Sequence, residues 1–261
     1  MSANTISLDI RGPIAHVTLC RPERANAIDA PLVRELQDAC EAIGTNDGVR
    51  VVLITAEGDV FSRGWDFESL AGETGDPVAV LRAQGVTVDP FGCLAELPRP
   101  IVCAINGDAS GAGLELALAC DVRVASEEAA FSLPDILIGL LPVAGGTQRL
   151  SRLVGRAAAL QMLLTGEPVD AQEGRRLGLV SAVVPRERLL EEAEAIASRI
   201  AERGPLAVRY AKEAVSRGLE MPLEQALRYE TDLTVVLQTT EDRAEGVRAF
   251  LEKRKPEFKG R

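Results

Sequence analysis

The chain has 261 residues, of which 46% are hydrophobic and 3% aromatic, and its formal net charge is −10. This size and hydrophobic content suffice for one large domain, or for one domain with a helical appendage. The negative charge argues against a nucleic-acid-binding surface, and the low aromatic content argues against a platform for base stacking. We therefore predict no nucleic acid partner.

The cysteines and the single histidine argue against disulfides, metal sites and histidine-dependent catalysis. The five cysteines are odd in number and widely spaced, which is typical of reduced thiols in a cytoplasmic protein. No pair has metal-ligand spacing, and His16 stands alone in a strand-like run, so we predict no metal site and no catalytic triad. Neither a signal peptide nor a membrane-spanning run is visible, and no membrane partner is expected.

The first part of the chain alternates strands and helices. Residues 5–20 predict a β-hairpin, and Asp29 is placed to cap the helix that follows. Residues 49–55 form a near-continuous apolar run, which predicts a strand buried on both faces. After a glycine-punctuated loop at 57–70, residues 71–90 are the least regular part of the chain, and we expect a mobile segment on the substrate side there.

The central stretch, residues 101–121, has the order strand, glycine-rich turn, helix. This layout directs free backbone N–H groups at a ligand, because the first turn of a helix has no internal partners for its donors. Gly111-Ala112-Gly113 opens the helix. The pattern fits a site for an anion or oxyanion, and equally the close packing of a helix on a strand. It matches neither a P-loop nor a dinucleotide-binding turn.

Two acids near this stretch are flanked by apolar sequence. Glu115 lies in the first turn of the predicted helix, and Asp135 stands between Pro134 and an apolar run. If both were buried in one pocket, burial and mutual repulsion would raise and separate their pKa values, which suits proton transfer at a carbon next to a carbonyl. The alternatives are a turn cap for Asp135 and a structural ion pair with an arginine for Glu115.

Two further features are a loop at residues 61–66 and a helical C-terminal tail. The loop Phe61-Ser62-Arg63-Gly64-Trp65-Asp66 holds the only tryptophan, which is either a ligand wall or part of a surface turn. After about residue 184 the chain is almost entirely helical. We predict an α/β core at residues 1–185, which would carry the site, and a helical subdomain at 186–261. The predicted helices of the later chain span 156–165, 170–177, 187–203, 205–218, 222–238 and 240–253, with a strand at 179–184.

Six segments in this order resemble the crotonase superfamily, the enoyl-CoA hydratase/isomerase family. They are RPERANAID, FSRGWDFESL, RPIVCAINGDASGAGLELALACDVRVAS, FSLPDILIGLLPVAGGTQRL, LTGEPVDAQEGRRLGLVSAVVP and FLEKRKPEFKGR. The resemblance implies an α/β fold with a crotonase-like spiral core of ββα turns, two roughly perpendicular sheets and a C-terminal helical region used in trimerisation. It also implies a homotrimer or a dimer of trimers.

The resemblance further implies an acyl-CoA thioester substrate and no cofactor. The thioester oxygen would bind an oxyanion hole made of the backbone N–H groups of Trp65 and Ala112. Glu115 and Asp135 would hold a water, with Glu115 as base toward C3 and Asp135 as the acid that protonates C2. The usual hydratase has Glu at the position of Asp135, and Asp is shorter by one methylene, about 1.5 Å.

The predicted activity is that of an enoyl-CoA hydratase, a lyase of fatty acid β-oxidation. The alternatives are an enoyl-CoA Δ-isomerase, which needs only one carboxylate, and an acyl-CoA-binding relative with weak or different activity. Coenzyme A contacts are expected at two places. One is the loop region near the start of the chain, and the other is the C-terminus, which would reach the phosphates of a neighbouring subunit. The expected contact residues are Arg24, Ala25, Ala27, Arg63, Lys253 and Lys259.

Overall fold

The computed structural model describes residues 5–70 and 89–261. Most of the segment that we predicted to be mobile, 71–90, lies outside the described residues. The strands are β1 Ile6–Arg11, β2 Ile14–Leu19, β3 Val51–Ala56, β4 Ile101–Ile105, β5 Ala109–Ser110, β6 Val122–Ser126, β7 Ala130–Ser132, β8 Val169–Asp170 and β9 Ala182–Val184. The helices of the core are α1 Ala30–Gly44, α2 Phe67–Leu70, α3 Gly92–Glu96, α4 Ala112–Leu118, α5 Gly146–Val154, α6 Arg156–Thr165 and α7 Ala171–Arg176. Four tail helices follow: α8 Leu189–Ala201, α9 Pro205–Gly218, α10 Leu223–Gln238 and α11 Glu241–Glu252.

The strands form two sheets. The larger sheet has the order β1-β2-β3-β4-β6-β9, and the smaller has the order β5-β7-β8. In the larger sheet β1 and β2 are antiparallel, which confirms the predicted hairpin, and every other neighbouring pair is parallel. Parallel pairs need a crossover between their strands, and the intervening helices supply it.

Both faces of the larger sheet are covered. One face packs on the main apolar core, which includes α1 and α4. The other face receives α8, whose Leu189, Ala193 and Ala197 pack with strand residues such as Leu53 and Val102. Burial on both sides explains why β3 and β4 are continuous apolar runs and do not alternate with polar residues. The first tail helix is therefore part of the packing of the sheet.

The predicted cap of α1 is confirmed, whereas one predicted strand begins later in the structure than expected. The Asp29 carboxylate caps α1 by accepting a hydrogen bond from the Leu32 N–H at 3.0 Å. The predicted strand 179–184 is shorter, because the N–H of Leu179 bonds the Gly174 carbonyl in the turn after α7. The strand begins only at Ala182.

Polar contacts tie the tail to the core. The Arg50 guanidinium donates to the carbonyls of Ala201 and Phe258. The Lys212 ammonium pairs with Asp121 at 2.8 Å. These contacts fix α8, α9 and the last residues against the end of the sheet at which β3 and β6 begin. Within residues 5–70 and 89–261, no helix is long and apolar enough to cross a membrane.

Candidate active site

The centre of the site is a close contact between two glycine-containing segments, 62–64 and 107–113. The Ser110 N–H donates to the Ser62 carbonyl at 2.9 Å. A Cβ placed on Gly64 would lie 2.7 Å from the Ser110 oxygen, and one on Gly113 would lie 2.5 Å from the Ser62 oxygen. Both separations are too short for a side chain. Of the two glycines that sequence reasoning left open between ligand binding and close packing, Gly113 therefore serves close packing, and this packing builds the site.

The packing brings the two predicted oxyanion-hole residues, Trp65 and Ala112, to one place. Gly64, which precedes Trp65, has φ of +96° and approaches the Ala112 nitrogen so closely that a Cβ there would be 3.2 Å from it. Ile28 bonds the neighbours of Trp65 on both sides, with its N–H to the Gly64 carbonyl and its carbonyl to the Asp66 N–H, each at 2.8 Å. Within the described chain, the N–H groups of Trp65 and Ala112 have no hydrogen-bond acceptor. Two donors on adjacent segments are thus available to one ligand oxygen.

Glu115 lies one turn into α4 and is fully buried. Its Oε1 accepts two hydrogen bonds, from the Ala144 N–H at 2.8 Å and the Gly146 N–H at 2.7 Å. Its Oε2 is buried and has no hydrogen-bond partner within the described chain. The structural ion pair considered above is absent from the described residues. Oε2 is therefore the oxygen that is left for a proton or a water.

The surroundings raise the pKa of Glu115 to about 7. Burial is the largest cause, and the charge of Asp135 adds to it. The two backbone hydrogen bonds and the Arg149 charge act in the opposite direction. A carboxyl with this pKa exchanges protons near neutral pH, which is the property that a general acid or base requires.

Asp135 lies in the short 3₁₀ helix Pro134–Ile138 and is buried. It does not cap this turn, and its Oδ2 is buried with no hydrogen-bond partner in the described structure. A Cβ placed on Gly111 would be 3.8 Å from this oxygen, so the carboxyl lies beside the glycine turn that precedes Ala112. Burial also raises the pKa of Asp135. The structure thus brings the two predicted acids together at the glycine turn.

The Trp65 side chain is 4% exposed and stacks on Phe91, with ring centroids 6.3 Å apart and planes 14° from parallel. It is therefore not part of a surface turn. Its indole Nε1 is buried without an acceptor in the described residues. The indole packs in the main hydrophobic core, and its role as a ligand wall stays a prediction.

The first four predicted coenzyme A residues form one cluster. The Arg63 N–H donates to the Ala25 carbonyl at 3.0 Å, and Arg24 pairs with the buried Asp66 at 2.9 Å. Ala25 has φ of 49°, a left-handed conformation that non-glycine residues rarely adopt. The buried Asn26 side chain stabilises this turn through hydrogen bonds to the Glu57 and Val60 carbonyls. The turn presents Arg24 and Ala25 beside the Trp65 loop.

Lys253 and Lys259 lie apart from this cluster. Lys253 ends α11 in a left-handed conformation, and the Lys259 N–H donates to Asp242. Within the described residues, no hydrogen bond or ion pair connects either lysine to the Arg24 turn. Their predicted contact with coenzyme A remains a prediction that involves a neighbouring subunit.

Sequence reasoning missed several residues that hold the site. Asn26 and Asp66 support the Arg24 turn, and Ala144, Gly146 and Arg149 surround Glu115. Gly145-Gly146 before a helix was a usable signal, because free N–H groups at a helix start bind carboxylates. The acceptor of those N–H groups could not be predicted from local sequence, because Glu115 is 31 residues away from Gly146 along the chain.

The comparisons with known proteins show the family of the chain. The model of the family described as enoyl-CoA hydratase/isomerase matches residues 9–261. The 2,3-dehydroadipyl-CoA hydratase of Escherichia coli (strain K12) is 42% identical over 245 residues, 94% of each chain. The crotonyl-CoA hydratase of Syntrophomonas wolfei is 37% identical over 259 residues, 99% of each chain. A crystal structure of an enoyl-CoA hydratase from Bacillus anthracis has a TM-score of 0.94 and 39% identity, and covers 98% of this chain and 100% of that one.

The fold and the paired carboxyls define a crotonase-type α/β enzyme. The chain belongs to the enoyl-CoA hydratase/isomerase family of the crotonase superfamily. The predicted fold class, family and enoyl-CoA hydratase function are thereby confirmed.

Proposed function

We propose that this chain adds water across the 2,3 double bond of an acyl-CoA thioester through an enolate held by the N–H groups of Trp65 and Ala112. One observation carries the proposal. Glu115 and Asp135 each keep a buried oxygen without a hydrogen-bond partner in the described chain, beside two equally unpaired backbone donors. Two acceptors and two donors in one place match a water and a carbonyl oxygen.

In the proposed reaction one proton leaves the water and another is delivered to C2. Glu115 Oε2 accepts a proton from the water as its oxygen bonds to C3, and the electron pair of the double bond moves onto the thioester oxygen. The proton of Asp135 then goes to C2 as the enolate collapses. After each addition the pair again holds one proton, now on Glu115, and a bound water returns it to Asp135. Burial raises the pKa values of both carboxyls.

Binding of the coenzyme A part is proposed for the Arg24 turn and the Trp65 loop, with Arg24, Ala25, Ala27 and Arg63 as contacts. Arg24 is about one-third exposed and Arg63 about one-half, so both guanidinium groups are accessible to phosphate. The proposed reaction needs no metal or redox cofactor, because proton transfers and backbone donors account for every step.

We propose a homotrimer or a dimer of trimers. Exposed hydrophobic surface supports this proposal. The region of the tail helices α9, α10 and α11 exposes large hydrophobic side chains, which an assembly would cover. They include Val215, Leu219, Leu223, Leu227, Phe250 and Leu251. The free thiols, three of them buried, support a reducing, cytoplasmic location. A role in fatty acid β-oxidation is proposed from the reaction class alone.

Hydration of crotonyl-CoA and longer 2-enoyl-CoA thioesters, followed by mass-spectrometric product identification, tests the proposal. We expect 3-hydroxyacyl-CoA, and a Glu115→Gln variant that is slower by a factor on the order of 10² to 10⁴. A wild-type rate no higher than that of Glu115→Gln on any chain length would refute the hydratase proposal.

A 3-enoyl-CoA substrate separates hydration from isomerisation. Migration of its double bond without a 3-hydroxy product would favour the isomerase, which needs only one carboxylate, Asp135 or Glu115. Tight binding of coenzyme A esters without turnover would favour the binding relative. Turnover that is lost in Asp135→Asn would exclude that alternative.

A further inference from the structure

Arg149 lies in the first turn of α5, beside the backbone that holds Glu115. Its Nη1 donates to the Ala144 carbonyl at 2.9 Å. Its guanidinium also forms an ion pair with Asp89 through both carboxylate oxygens. A bidentate pair of this kind fixes the plane of the guanidinium.

The turn formed by residues 144–146 connects Arg149 to Glu115. The Ala144 carbonyl accepts from Arg149, and the N–H groups of Ala144 and Gly146 both donate to Glu115 Oε1. Gly145, between them, has φ of +102°, and a Cβ on it would lie 2.2 Å from the Arg149 Nη1. The guanidinium thus lies directly against the turn, in space that any other residue at 145 would occupy.

Charge adds to this geometry. Burial raises the pKa of Glu115, and the two charged groups that face it act in opposite directions: Asp135 raises this pKa and Arg149 lowers it. Arg149 is thus the cation that offsets the charge of Asp135 at Glu115. Arg149 is mostly buried, with about one-fifth of its side chain exposed, so solvent screens its charge only partly.

We propose that Arg149 is a positioning residue for catalysis: clamped by Asp89, it sets the turn that fixes Glu115 Oε1 and so directs Oε2 toward the water. This inference rests on the proposed hydratase function for its kinetic consequence. Arg149 acts through Ala144 and Gly146 and is not itself a group that touches the reacting atoms. A displacement of the base by about 1 Å is enough to lower a rate on the order of a hundredfold.

The test compares Arg149→Gln, Arg149→Lys and a control, Arg152→Gln. Arg152 lies on the same helix, but it is exposed and pairs with Glu220. We expect Arg149→Gln to lower kcat by about 10- to 100-fold with KM changed less than about threefold. Arg149→Lys, which keeps a cation and a donor, recovers part of the lost kcat. The control keeps wild-type kcat and KM.

A second readout does not depend on turnover. The titration of Glu115 is followed in the ligand-free protein by infrared difference spectra against Glu115→Gln. Removal of the Arg149 charge should move the midpoint of this titration to higher pH, and Arg149→Lys should return it toward the wild-type value. A merely structural role would move neither the midpoint nor kcat selectively.

The outcomes are distinguishable from those of the hydratase proposal. If the wild-type protein hydrates no thioester, the hydratase proposal fails, while the infrared midpoint still tests the effect of Arg149 on Glu115. If Arg149→Gln does not fold, Asp89→Asn carries the kinetic test, since it weakens the clamp and leaves Arg149 in place. Wild-type kcat and an unchanged midpoint in folded Arg149→Gln, or wild-type kcat in folded Asp89→Asn, would overturn the inference.

Discussion

Glu115 and Asp135 each bury one carboxyl oxygen that receives no hydrogen bond from the described part of the protein. Buried polar atoms are almost always satisfied, by protein or by water. These oxygens are Oε2 of Glu115 and Oδ2 of Asp135. The other oxygen of Glu115, Oε1, accepts hydrogen bonds from two backbone N–H groups. The pair is therefore ready to bind a water and exchange one proton.

The pH dependence of hydration follows from the pair. The proposed active form carries one proton, so kcat/KM should be bell-shaped. Its alkaline limb should have an apparent pKa of about 7, because above this pH Glu115 ionises and no proton is left for C2. On the acid side the rate falls as both carboxyls become protonated, and burial raises the pKa of Asp135 above its ordinary value. Initial rates between pH 4.5 and 9.5 measure both limbs. A rate that keeps rising through pH 8 would contradict the single-proton pair.

The stability of the protein should depend on the same carboxyl. The pKa of Glu115 rises from 4.5 to about 7 on folding, so between these values the folded state binds more protons than the unfolded state. The free energy of unfolding therefore falls as pH rises through this window, by about 3 kcal/mol at most, and then levels off. Glu115→Gln should lack this loss and be more stable than wild type at pH 8. Urea unfolding at pH 5 and pH 8 measures the difference, and an equal pH dependence in both proteins would argue against a raised pKa.

Gly64→Ala should damage the oxyanion hole. A Cβ there would meet the Ser110 oxygen at 2.7 Å, and the backbone φ of +96° disfavours alanine as well. We expect a loss of stability of about 1–3 kcal/mol and a fall in kcat of about 10²-fold or more, because the Trp65 and Ala112 donors move apart. Gly12→Ala is the matched control, with φ of +59° and no atom within 4 Å of the added Cβ. It shares the backbone cost and should keep wild-type kcat.

Arg63→Gln should weaken binding of the coenzyme A part. We expect KM to rise by about three- to tenfold with kcat nearly unchanged, since a phosphate contact is equal in ground state and transition state. Arg176→Gln, which removes an exposed arginine paired with Glu173, serves as the control. The difference between the two variants should shrink at high salt. An effect of Arg63→Gln on kcat alone would speak against a binding role.

Much of the scaffold was predictable from local patterns. The hairpin, the Asp29 cap, the buried strands β3 and β4 and all four tail helices follow from apolar periodicity and helix-cap chemistry. These signals lie within short windows of sequence. The ends of elements, such as the late start of β9, depend on single turn hydrogen bonds and were harder to place.

The site was predictable only in part. Glu115, Asp135 and the glycine turn stand out from the surrounding apolar sequence. A buried acid costs free energy unless it is paired, protonated or used in function. The contacts that make them a site are long-range: Gly64 against Ser110, Ala144 and Gly146 on Glu115, and Arg149 on Asp89. No pattern in one window of sequence pairs these residues, and only the fold brings them together.

The close packing of segment 62–64 on segment 107–113 separates two properties of the site. Glycines and backbone hydrogen bonds fix where the two N–H donors point, so the chemistry of the hole does not depend on which side chains stand at 65 and 112. Position 65 therefore tolerates a large side chain such as tryptophan. The same independence makes this position a suitable place to redesign acyl selectivity: a smaller side chain at 65 would enlarge the space beside Phe91 and leave the main-chain donors in place.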